Sequence, residues 1–309
     1  MPQGEIKDKK TLSLHGKKNL GFYIAIMAFP VLQFCIFYIG VNFSSLFLAF
    51  QKIDVLSGDI TWTFSNFSNL FKEFSSTTLL SDTVRMSLIN YLISLICGTS
   101  LGLFFSYYIS KKLVGSMFYR VVLFLPSIIS SIVLVTIYKF FVEEVVPAFW
   151  FDTTGKTIKG LLENFDTRFF AIAFYVVFIG FGTSVLMYSN SMSEIDPEII
   201  EAGELDGVSG IKEFWYITLP MVFPTLKTFL IIGVAGIFTS QMELFSFYGE
   251  AAPEKLQTFG YYLYNQTESA IGVSEYPRIA ALGILLTCIA VPLTFLVKYL
   301  LDKYGFSEN

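Results

Sequence analysis

The chain has 309 residues, of which 54% are hydrophobic and 15% charged, with a formal net charge of −4. A soluble domain carries roughly 25% charged residues, and no basic cluster resembles a nucleic-acid surface, so a water-soluble globule and a nucleic-acid partner are both excluded. The apolar residues are gathered into runs long enough to cross a ~30 Å hydrocarbon core, and their length argues against a β-barrel, whose strands need only about 10 residues.

In chain order the expected spans are Leu20–Ala49, Met86–Ile109, Val121–Phe141, Phe169–Met187, Phe229–Phe247 and Ile279–Leu301. The expected fold is therefore all-α and integral to the membrane, with six spans over residues 20–301, an N-terminal tail at 1–19 and a C-terminal tail at 302–309. Lys7, Lys9, Lys10, Lys17 and Lys18 precede the first run, which is too long for a signal-peptide core and is read as an uncleaved span. By the positive-inside rule these lysines put the N-terminus in the cytoplasm, and six spans return Lys298, Lys303 and the C-terminus to that side. Lys111, Lys112 and Arg120 mark another cytoplasmic loop, although Lys52, Lys72, Lys156, Lys159, Arg168 and Lys255 make the bias incomplete. The membrane partner is lipid, and the 34 Phe and 17 Tyr fit lipid-facing bulk and interfacial belts.

Between the first two spans, Phe64, Phe67, Leu70, Phe71 and Phe74 fall on one helical face and predict an interfacial helix over 62–74. A short helix is expected around Ile158–Asn164 between spans three and four. Cys35, Cys97 and Cys288 all sit inside spans, so no disulfide framework is expected. His15 is the only histidine, which excludes a multi-histidine metal site within one chain.

The segment Glu194–Leu226 is the most informative. Asp196 followed by Pro197 reads as an N-cap and first helical position, with a helix to about Leu205. Gly207 permits a turn, Ser209 is placed to cap a second short helix through Tyr216, and Pro220 and Pro224 limit the chain before span five. Ala202, Gly203 and Gly207 would let a partner approach the backbone, while Ile199, Ile200, Leu205 and Phe214 fill a groove. An ordinary amphipathic loop packed on its own bundle has the same pattern, and the residues alone leave both readings open.

The spacing Glu201-Ala202-Gly203, three residues, Gly207, nine residues, Ile217, one residue, Leu219-Pro220 resembles the coupling motif of ABC importer permeases. Gly203 stands where that motif has a second alanine. Arg120 with Phe124-Leu125-Pro126, Asn66-Phe67 with Leu70-Phe71, and Thr258 with Tyr261, Tyr262 and Tyr264 are similar to the carbohydrate, maltose-type branch. The resemblance implies a transport subunit, not an enzyme, in a bacterial cytoplasmic membrane. It implies a second, homologous permease, two ATPase subunits and an external solute-binding protein as partners, with a sugar, best an oligosaccharide, as cargo. ATP and Mg would be used by the ATPases, since this chain has no G-x-x-x-x-G-K-[ST] loop and is expected to bind no cofactor itself. Glu201, Ala202, Gly203, Asp206, Gly207, Ile217, Leu219 and Pro220 become the expected coupling residues.

In the fifth span Gln241 and Glu243 interrupt an apolar run, and a carboxylate there must face protein or a watery cavity. They are the expected solute-path residues, with Thr239, Ser240 and Tyr248 beside them; bonds to neighbouring helices or a place near the interface are the alternatives. A polyol or glycerophosphate-type cargo is the second reading of substrate. An ion-coupled secondary transporter is the second reading of class, disfavoured because neither inverted repeats nor discontinuous helices are visible in the sequence.

Overall fold

The computed structural model describes residues 9–54, 58–76 and 78–306, with side chains from residue 21 onward. Lys7 and the tail ends 1–8 and 307–309 lie outside the described residues, as do the side chains of Lys9, Lys10, His15, Lys17 and Lys18. Among the described residues, five helices are long and apolar enough to cross a membrane: Gly21–Ala49, Thr78–Ser110, Phe165–Ser193, Ile211–Ala235 and Tyr276–Tyr304. The expected third span is a helix pair, Ser116–Ile128 and Ser131–Thr154, bent by 106°. Counting that pair once gives the six expected segments.

Several boundaries differ from expectation. The first helix already begins at Lys9, inside the expected tail. The third segment breaks after Leu125-Pro126-Ser127-Ile128, which tightens to a 3₁₀ turn before Ile129 and Ser130 go extended. Proline supplies no amide donor there, so the ladder cannot continue through it unaided. The segment's second half then runs on to Thr154, and no helix forms at Ile158–Asn164; the helix of this loop lies earlier, at Val146–Thr154.

The chain clusters into two compact units, one comprising the segment through Ser68 with Ile271–Ile284, the other Asn69–Ala270 with Leu285–Asn309. In the first unit a two-stranded antiparallel hairpin, β1 (Gln51–Ile53) and β2 (Ile60–Trp62), departs from the all-α expectation. Asn66 explains its position: its side-chain amide donates to the carbonyls of Ala49 (2.9 Å) and Gln51 (2.8 Å), just where the first span ends. A helix forms at Ser65–Ser76, in the stretch where an interfacial one is expected. Leu70 is fully buried on it, whereas Phe71, and Phe64 just before it, are exposed.

In the second unit, span two packs on span four through small residues. Gly102 meets the ring of Tyr188, and one turn on, Ser106 donates to the Val185 carbonyl (3.0 Å). Small side chains at four-residue spacing let membrane helices approach closely. Gly182 does the same toward the third segment: an added β-carbon would run into the backbone carbonyl oxygen of Leu123. A core of Val135, Ile172, Tyr175, Leu244, Phe247 and Tyr261 joins the third segment, span four and the chain beyond span five.

Candidate functional site: the loop helix and the break in span five

Asp196 caps the helix Pro197–Leu205 as its sequence predicts, its side chain accepting from the Glu198 amide (3.0 Å). The helix ends in a Schellman motif. The Gly207 amide donates to Glu204 (3.0 Å) and the Val208 amide to Gly203 (2.9 Å), with Gly207 at φ +79°. This closes the last carbonyls of the helix and requires a residue that tolerates the left-handed region. Ile200 and Phe214 turn inward onto Tyr188, Met192, Ile195 and Val222. Ile199 and Leu205 do not: Leu205 is 90% exposed. With Ala202 they form an uncovered stripe, while Glu201, Asp206 and Gly207 are exposed as well.

Beyond the loop, the expected second short helix is not separate. The helix starts at Ile211 with Gly210, not Ser209, at its N-cap, passes through a π-helical turn at Phe214–Thr218 and continues to Ala235. Pro220 and Pro224 lie within it and do not delimit it. The π turn precedes Leu219-Pro220, where the helical ladder must already adapt to a missing donor. Leu219 is buried, and Ile217 reaches back so that a β-carbon at residue 203 would collide with its Cδ1. Ile217 thus occupies the space that an alanine methyl would take at Gly203, but its Cδ1 is the end of a flexible side chain and can turn aside.

Span five does not run to Phe247. It stops at Ala235, turns through Gly236–Ser240, and passes Met242 and Glu243 at φ +53° and +55° before a short helix, Leu244–Tyr248. Freed backbone groups at membrane depth must be satisfied by other partners. Thr258 Oγ1 donates to the Ser240 carbonyl (2.8 Å), and Asn90 Nδ2 donates to Ser240 Oγ (3.2 Å). Gly260 presses so close that a β-carbon would sit 2.5 Å from the Thr239 carbonyl oxygen. Thr258 and Tyr261 thus act structurally: Thr258 caps its helix, and Tyr261 donates to the Gly249 carbonyl (2.8 Å) and accepts from the Ala252 amide (3.1 Å). Burial pushes the Tyr261 phenol above its ordinary pKa.

Ser240, Gln241, Met242 and Glu243 line a cavity of about 300 Å³ together with Val176 of span four. Thr239 and Tyr248 do not line it; the Thr239 hydroxyl returns to its own Gly236 carbonyl (3.3 Å). One residue missed in the sequence, Tyr175, and one expected there, Tyr248, stand in the core beside it. Tyr175 and Tyr248 both carry buried hydroxyls without a protein partner, and Tyr175 stacks edge-on against Phe247 at 5.2 Å. Tyr175 lies in an apolar run that reads as bulk, so only the fold distinguishes it. Lys139, also within a span, donates to the Phe247 carbonyl (2.9 Å), which anchors its charge to the short helix.

Six apolar segments, two of them broken, with a capped helix between the fourth and fifth, define a polytopic membrane protein of the transporter class. The chain belongs to the family of binding-protein-dependent transport system inner membrane components, which it matches over residues 90–304. Discontinuous helices are present after all, so they do not separate this class from secondary transporters; the family match does. The chain is 22% identical to the multiple sugar-binding transport system permease protein MsmF of Streptococcus mutans, over 60% of this chain and 63% of that protein. It is 24% identical to the arabinooligosaccharides transport system permease protein AraP of Bacillus subtilis, over 83% of this chain and 80% of that one. It thus spans less than two thirds of the length of some relatives that it matches. Its fold is shared with a chain of a bacterial ABC transporter that imports the acidic polysaccharide alginate, at a TM-score of 0.76 and 18% identity over 96% of this chain and 99% of that chain.

Proposed function

We propose that this chain is one of two permease subunits of an ATP-driven importer that takes a carbohydrate, best an oligosaccharide, from an external solute-binding protein into the cytoplasm. The observation that carries this reading is the Glu201–Pro220 segment. Its motif spacing coincides with a rigidly capped helix whose Ile199–Ala202–Leu205 stripe is left uncovered. A helix of this kind fits a groove on a partner, and the ATPase subunits are the partner we assign. Glu201, Ala202, Gly203, Asp206 and Gly207 present the contact, while Ile217, Leu219 and Pro220 hold it to span five. Carbohydrate cargo is supported by the relatives' sugar and oligosaccharide names. The N- and C-termini and this loop are assigned to the cytoplasm.

The test is reconstitution with the partner permease, ATPases and binding protein in liposomes. Uptake is expected to require ATP and the binding protein and to survive ionophores that collapse ion gradients; uptake driven by a gradient alone would reject the reading. In cells, a single cysteine at Ser269 (Ser269→Cys) is expected to react with an impermeant thiol reagent and one at Ser209 (Ser209→Cys) to resist it. External labelling at residue 209 would invert the topology.

We place the solute path at the break in span five. Gln241 and Glu243 supply donors and acceptors for sugar hydroxyls, and the free hydroxyl of Tyr175 adds another beside an aromatic face. Ser240 joins them, while Thr239 and Tyr248 become supporting residues. Losing a hydrogen bond to a charged group costs about 1.5–3 kcal/mol, so Glu243→Gln is expected to lower solute affinity roughly tenfold or more. Gln241→Ala should cost less, and assembly and basal ATP hydrolysis should stay near normal for both. Unchanged uptake kinetics over several sugars in both variants would remove these residues from the path.

A further inference from the structure

Glu213 is the most buried carboxylate-bearing residue of the loop region, 2% exposed, and is not one of the fixed residues of the coupling motif. Its Oε1 meets Lys111 Nζ at 2.6 Å and accepts from the Thr218 hydroxyl (3.3 Å). Its Oε2 lies 3.1 Å from the Tyr107 hydroxyl, which also lies 3.0 Å from the Gly210 carbonyl oxygen. The Lys111 ammonium sits 5.6 Å from the centre of the Tyr107 ring, and Phe214 packs edge-on against that ring at 5.2 Å. Lys111 caps the C-terminus of span two, whereas Glu213 is in the first turn of the helix that becomes span five. One ion pair, with Glu213 buried and Lys111 half-buried, therefore joins the end of one span to the base of another, directly after the loop helix.

A buried ion pair is a poor source of net stability, because desolvation offsets its attraction; what it supplies is a defined geometry that apolar packing would not enforce. An unpaired carboxylate at this depth is strongly unfavourable, so the two elements can separate only by exposing or neutralising Glu213. Sliding is restricted too, because Tyr107 and Thr218 hold the carboxylate from two sides.

We propose that the Lys111–Glu213 pair is a mechanical link that carries movement of the loop helix into span two, so that spans two and five answer the ATPases as one body. This rests on the importer reading. Glu213 and Lys111 are positioning residues: they touch neither nucleotide nor solute.

The test uses the complete importer in liposomes, with radiolabelled maltotriose, arabinotriose or an alginate trisaccharide as probe, whichever the unmodified complex imports. Glu213→Gln keeps the shape and removes the charge; it is expected to assemble normally, hydrolyse ATP at near the basal rate and import about tenfold less solute per ATP, within the usual range of coupling factors. In a background lacking Cys35, Cys97 and Cys288, the pair Lys111→Cys with Glu213→Cys should show the same loss and recover when a short bismaleimide bridges it. That bridge should form equally well in nucleotide-free and vanadate-trapped complexes. An unchanged solute-to-ATP ratio in Glu213→Gln, or a loss of uptake strictly in proportion to lost assembly, overturns the proposal. So does a bridge that blocks transport or fails to form in the trapped state. Absence of ATP-dependent uptake in the unmodified complex would instead count against the importer reading, while the bridging yields still judge the link.

Discussion

Replacing Gly182 with valine is expected to destabilise the folded protein markedly. Span four crosses the third segment at this residue with no room for a side chain, since the first carbon added would meet the Leu123 carbonyl oxygen. The obstacle is backbone, so no rotamer change relieves it; the helices must move apart or tilt. Overpacking of a core costs typically 1–3 kcal/mol. The same shift disturbs the neighbouring Ser106–Val185 hydrogen bond and the seat of Tyr188 against Gly102. The control is close by: Gly180, on the same helix, has open space where its β-carbon would stand. Gly180→Val should therefore give a normal monodisperse peak by size-exclusion in detergent, while Gly182→Val loses it. Equal behaviour of the two would show that span four and the third segment do not approach as closely as described.

Gly207→Leu is expected to insert and fold but to lose ATPase binding. At φ +79° any residue with a β-carbon is strained, by about 1–2 kcal/mol. Nothing within the chain lies within 4 Å of a β-carbon there, so the added bulk meets no internal obstacle. Strain and bulk can thus be separated. Gly207→Ala carries the backbone strain alone, Gly207→Asn relieves part of it because asparagine tolerates this region, and Gly207→Leu adds volume. If a partner sits against this turn, co-purification of ATPase subunits should weaken for alanine and fail for leucine, and fail for the nearly isosteric asparagine too despite its lower strain. Leucine behaving like alanine would mean that no surface approaches Gly207, and the coupling assignment would fall with it.

The legible parts of the fold were those written in local chemistry. Asp196-Pro197 and Gly207 each act through their own backbone, so capping at one end of the loop helix and the left-handed turn at the other could be read without neighbours. Gln241 and Glu243 were likewise noticeable as polar residues in an apolar run. Their actual setting was not legible, because the break around them is held by Thr258 and Gly260 from the following loop and by Asn90, 150 residues away from Ser240. Tyr175 was hidden for the opposite reason: in a membrane helix an aromatic residue is unremarkable until its hydroxyl is found buried and unpartnered.

The amino-acid sequence by itself determined the class of protein, the number of apolar segments and the position of the loop helix, because hydrocarbon thickness and helix capping act over one or two dozen contiguous residues. Only the tertiary structure decided where the third and fifth segments break, which face of the loop helix stays uncovered, and that Lys111 meets Glu213. Apart from the donor that Pro126 lacks, those outcomes depend on groups 18 to 150 residues apart competing for the same backbone donors, acceptors and buried space. No local periodicity records that competition.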